Sequence, residues 1–78
     1  MNVSEQEFQF MVEGITSDLI QLLMDRRHCT LSQAVDFVYT SDIYQALLRP
    51  SSKLYTQSPG YLYSLLEEEY SQFIIHNS

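Results

Sequence analysis

Glu67, Glu68 and Glu69 form the densest group of chemically capable side chains in the chain. Carboxylates that share a cation or exchange protons must converge, whereas successive residues of a helix point about 100° apart. No His stands three or four residues away to complete a dimetal motif of the kind helical bundles carry. The run therefore reads as a solvated helix face, with one exception. Glu69 falls between Leu62, Leu65 and Phe73 on the apolar stripe, where a carboxylate needs a partner. Arg26, Arg27, Arg49 or a tyrosine hydroxyl is expected to supply it in a structural role, while Glu67 is expected to matter little.

Asp25, His28 and Cys29 bring together ligand types that suit zinc, but a structural site takes four ligands and Cys29 is the only cysteine. A polar cluster at a helix end is the simpler expectation, and His76 lies in a tail expected to fray. The serines and two histidines lack a G-x-S-x-G turn, and Cys29 has no catalytic signature around it. Gly14 and Gly60 stand alone, so no glycine-rich loop cradles a phosphate. Six tyrosines, at 39, 44, 55, 61, 63 and 70, invite a base-stacking role. Stacking platforms run along a positive groove, however, and the tyrosine-rich C-terminal part is negative. Core-edge positions suit these rings better, since the body buries while the hydroxyl reaches water. These residues point to no enzyme, no metal, no cofactor and no small-molecule ligand.

The elements that position these side chains follow from composition and periodicity. Ten acidic residues against four basic ones leave a formal net charge of -6, which repels nucleic acid and anionic lipid. A chain of 78 residues, 45% hydrophobic, has room for one domain, 1–78, with a thin core. Two Gly and two Pro argue against a turn-dense β architecture and favour helices. The lone cysteine excludes an internal disulfide, and no basic residue precedes Arg26 to start a signal peptide. A cytoplasmic location is the expectation. The longest uncharged stretch, Leu54 to Leu66, is 13 residues long, short of the roughly 20 that span a bilayer.

The spacing predicts an all-α bundle of two long helices, about 4–27 and 59–75, and two short ones, about 31–39 and 42–48. Ser4 with Glu7, and Thr30 with Gln33, have capping-box spacing. Phe8, Met11, Val12, Ile15, Leu19, Leu22 and Leu23 form the first apolar stripe, and Leu31, Ala34, Val35 and Val38 the second. Thr40, Ser41 and Asp42 break the helix and cap the next, although a continuous helix through Thr40 is the alternative. Leu54 and Tyr55 are expected as a short extended segment pinned to the core. Ser58 and Pro59 then start a last helix that buries Leu62, Leu65, Leu66, Tyr70 and Phe73, with Tyr63 at the edge. Helix 1 and this last helix are expected to form the main, antiparallel contact, with Leu19 and Leu66 deeply buried.

Two surfaces suggest partners. Residues 31–48 have the outline of a helix-turn-helix, but the turn lacks Gly and the second helix carries Asp42 and Gln45 with one basic residue, Arg49. All four basic residues fall between Arg26 and Lys53, where ion pairing within the domain is the default. On helix 1, Ile20, Met24 and Phe10 fall opposite the Phe8 stripe at about 100° per residue. Gly14 and Ser17 between them are small enough for another helix to approach. Phe10, Gly14, Ser17, Ile20 and Met24 are therefore the candidate interface, for a homodimer or for another protein's helix.

Leu54-Tyr55-Thr56-Gln57-Ser58-Pro59-Gly60-Tyr61-Leu62-Tyr63, leading into Glu67 to Glu69, carries the pattern Leu-Tyr-x-x-Ser-x-x-Tyr-x-Tyr with an acidic end. Tyr39, Ser41, Tyr44 and Leu47 give Tyr-x-Ser-x-x-Tyr-x-x-Leu upstream. Over most of its length the chain resembles a family of small uncharacterised bacterial proteins, all-helical, with a long first helix. That resemblance implies a bacterial cytoplasmic origin, with some similarity to members of toxin-antitoxin or mobile loci. The expectation is a non-enzymatic interaction or regulatory protein that works through a helical surface; the alternative is a DNA-binding regulator using 31–48.

Overall fold

The structure is a computed structural model that describes residues 3–77, with side chains up to residue 74. Four α-helices form: α1 (Glu5–Arg27), α2 (Leu31–Thr40), α3 (Asp42–Leu47) and α4 (Pro59–Asn77). Two 3-10 turns, Pro50–Ser52 and Leu54–Thr56, join α3 to α4, and the described residues include no strand. The protein is an all-α bundle.

The helix starts are local chemistry. Ser4 and Glu7 close a reciprocal capping box at α1, and Thr30 and Gln33 close another at α2. At α4 the Ser58 hydroxyl accepts from the Tyr61 N–H at 3.2 Å, with Pro59 in the first turn. α1 ends where His28 adopts a left-handed φ of 55° and its N–H reaches the Met24 carbonyl. Ser41, extended at φ -75° and ψ 154°, separates α2 from α3, so no helix runs on through Thr40.

Leu54 and Tyr55 form a 3-10 turn instead of the expected extended segment. Lys53 enters it at a φ of 59°, and Ser52 Oγ donates to the Ala46 carbonyl while accepting the Leu54 N–H. Those bonds curl the connection back, and Tyr55 packs edge-on against Phe8 with ring centroids 5.1 Å apart.

This turn decides the topology. It brings the chain back to the Phe8 end of α1 just before α4 begins. Farther along, Arg26 lies over the Tyr63 ring, and Arg27 meets Glu67 and then Tyr70. The contacts advance in the same direction along both segments, so α1 and α4 run parallel, not antiparallel as expected. α2 runs back along α1 and reaches α4 through Phe37, against Tyr70 and Phe73, while the start of α3 meets Glu69. α1 also packs more extensively on α2 than on α4.

Leu19, Leu23, Val38, Leu62 and Leu66 are fully buried, in line with the stripes that predicted them, and Leu47 of α3 joins them. Four positions depart from those expectations, the first being Met11, 37% exposed at the flank of the α1 stripe. Phe73, expected inside, is 51% exposed near the far end of α4, where its ring meets Phe37 edge-on. Leu31 is 58% exposed in the first turn of α2. Tyr63, expected at the edge, is buried where α4 meets the end of α1.

Candidate interaction surface

α1 turns one face to the core and leaves the other open. Phe10 is 77% exposed, and Gly14 and Ser17 follow it on the same exposed face. A Cβ added at Gly14 would meet nothing within 4 Å, so a partner backbone has access there. Ile20 and Met24, one and two turns farther on, are half-buried and packed against the edge of the core. The five candidate residues thus share one face but have two environments.

Ile20 and Met24 line an open groove of about 300 Å³ between α1 and α2, with Leu31, Tyr39 and Tyr44 on the far wall. Tyr39 and Tyr44 meet edge-on at 4.8 Å. Burial first, then Tyr39 and Glu13, raise the Tyr44 phenol above its ordinary pKa. Sequence reasoning missed this second wall, because it placed Leu31 in the buried stripe with Ala34 and Val38 and Tyr39 at the core edge. A second groove, about 560 Å³, separates α2 from α4. Its aromatic floor is already engaged in ring contacts of Phe37 with Tyr70 and Phe73.

Glu69 is half-buried, as its place in the stripe requires, but its partner is neither an arginine nor a tyrosine. Its two carboxylate oxygens accept the N–H groups of Asp42 and Ile43 at 2.9 and 2.8 Å. Ser41 Oγ accepts the N–H of Tyr44. Every N–H in the first turn of α3 is therefore satisfied, two of them from another helix, which supports a helix too short to persist alone. Glu67, expected to be idle, pairs with Arg27 at 3.6 Å.

The zinc-type residues do not converge. Asp25 accepts from the Gln21 amide, His28 ends α1, and Cys29 Sγ donates to the Leu23 carbonyl. Among the described residues no group of three His, Cys, Asp or Glu is placed to hold a metal ion. No described helix is long and apolar enough to cross a membrane.

Tyr63 is 2% exposed, and its hydroxyl has no hydrogen-bond partner among the described residues, although Arg27 and Glu67 are near. Burial first, and the Glu67 carboxylate second, raise its pKa. No protein-family model, no curated protein and no solved structure matches this chain.

Proposed function

We propose that this chain is a non-enzymatic interaction or regulatory protein that acts by presenting the open face of α1, and the groove beside it, to a protein partner. The observation that carries the proposal is Phe10, a large ring 77% exposed and in line with Gly14, Ser17 and the Ile20–Met24 groove wall. An aligned apolar strip with small residues at its centre is what a docking helix uses. A second copy in a two-fold dimer and a helix of another protein are the two occupants of this kind. The bacterial cytoplasmic setting, with a role in a toxin-antitoxin or mobile locus, belongs to the same proposal and rests on the resemblance of the tyrosine-serine patterns.

Recognition of DNA by 31–48 finds less support. A recognition helix reads bases with its N-terminal residues. At α3 that end is covered by the Glu69 carboxylate, an anion that a phosphate backbone repels.

The test compares wild type with Phe10→Glu by sedimentation equilibrium and by recovery of bound proteins from bacterial lysate. Unchanged circular dichroism with loss of dimer or partner is the expected result. A variant that keeps every association of the wild type removes the proposal.

A further inference from the structure

Resting on the interaction reading and going beyond it, we propose that the occupant of the α1–α2 surface is a cationic amphipathic helix of another protein, not a second copy of this chain. The groove sets apolar side chains beside Glu13, Thr16, Ser17 and Gln21, and two of the apolar ones, Leu31 at 58% and Tyr39 at 46%, remain exposed. An amphipathic helix fills such a channel with residues three and four apart, and the open space at Gly14 allows its backbone close to α1.

Charge selects which helix. Glu5, Glu7, Glu13, Asp18 and Asp25 are the only charged side chains before Arg26, and all are carboxylates. Glu13 lines the groove, and Asp25 is held by the amide of Gln21, itself a lining residue. The chain's own cations are placed elsewhere. Arg26 and Arg27 lie over the Tyr63 and Tyr70 rings of α4. Arg49 and Lys53 belong to the connection that ends in Tyr55 against Phe8, on the opposite side of α1.

A second copy docked on this face would bring its own Glu13, Asp18 and Asp25 to a seam that already carries these carboxylates and no cation, and like charges there repel as water is excluded. Lys or Arg flanking an apolar seam would instead neutralise them. The net charge of -6 would also steer such a partner into the encounter.

The experiment titrates three synthetic peptides of about 18 residues into the full-length, isotope-labelled protein. One has a Leu/Ala seam flanked by Lys, one has the same seam flanked by Glu, and one is the Lys peptide scrambled to lose its amphipathic face. The Lys peptide should bind, weaken with added salt, and shift the amide resonances of Gly14, Ser17, Leu31 and Tyr39. The Glu peptide should bind at least about tenfold more weakly, and Glu13→Lys with Asp18→Lys should reverse that order. Equal binding of the scrambled peptide, or shifts confined to Glu67–Glu69, overturns the proposal. A wild-type dimer that Phe10→Glu disperses also overturns it, because the occupant is then a second copy, and leaves the interaction reading intact. A monomer that binds no peptide at millimolar concentration overturns the cationic-helix proposal directly, and if Phe10→Glu also keeps every wild-type association in lysate, the interaction reading goes with it.

Discussion

Phe8 and Phe10 stand on the same helix with a single glutamine between them, and their fates are opposite. Phe8 is 8% exposed and packs edge-on against Tyr55. Phe10 is 77% exposed, and a glycine and a serine follow it along its face. At 3.6 residues per turn, two positions rotate a side chain by more than half a circle, so residue type says little and facing says nearly everything. The inner side of α1 is committed to the fold. The outer side is free to serve something else, and substitutions on the two sides should separate stability from binding.

The largest effect belongs inside. Leu19→Ala and Leu66→Ala should each cost about 2–5 kcal/mol, because both side chains are fully buried and neither site can collapse completely. Urea denaturation measures this, and Phe10→Ala on the outer side should stay within about 0.5 kcal/mol of wild type. If both leucines cost as little as Phe10, the division of α1 into two sides is wrong.

Next comes α4, which has the same division. Glu69→Ala strips the acceptors from two N–H groups of α3 and should cost about 1–2 kcal/mol, whereas Glu68→Ala, on the exposed side, should change little. Hydrogen exchange sharpens the point, since Asp42 and Ile43 should lose protection in the first variant only.

On the outer side of α1, Gly14→Ala should stabilise the protein by about 0.5–1 kcal/mol, because the added methyl meets nothing and glycine is a poor helix former. The same methyl obstructs close approach, so thermal stability should rise while partner binding falls. A rise in both would mean that no partner backbone comes near Gly14.

The smallest effect is expected at Tyr63. Tyr63→Phe keeps the ring under Arg26 and removes a buried hydroxyl without a partner, so stability at neutral pH should hold or rise by up to about 1 kcal/mol. The folded pKa of Tyr63 is raised, so its stabilising contribution is present below the unfolded value of about 10 and is lost as pH climbs through the higher folded value. Denaturation followed from pH 9 to 11 should show a shallower alkaline loss in the variant. Some loss should persist, because Tyr44 is shifted in the same direction. Identical alkaline slopes would show that Tyr63 ionises freely in the folded protein.

Sequence by itself determined the helical class, where α1, α2 and α4 start, and most of the core. Capping boxes join residues three apart, and an apolar stripe repeats within two turns, so Ser4 with Glu7, Thr30 with Gln33, and the Leu19–Leu23 and Leu62–Leu66 pairs were legible without any long-range information. The same periodicity placed Phe10, Gly14 and Ser17 on one face. Only the tertiary structure decided that α4 runs parallel to α1, because that direction depends on the bends at Lys53 and Tyr55, where the chain could have left α3 either way. It also decided what Glu69 binds. The need for a partner could be read from the stripe, but the partner is a pair of backbone N–H groups 26 and 27 residues away. Every non-proline residue carries such a group, so side-chain identity could not single these out; the ends of a short helix left unsatisfied in space did.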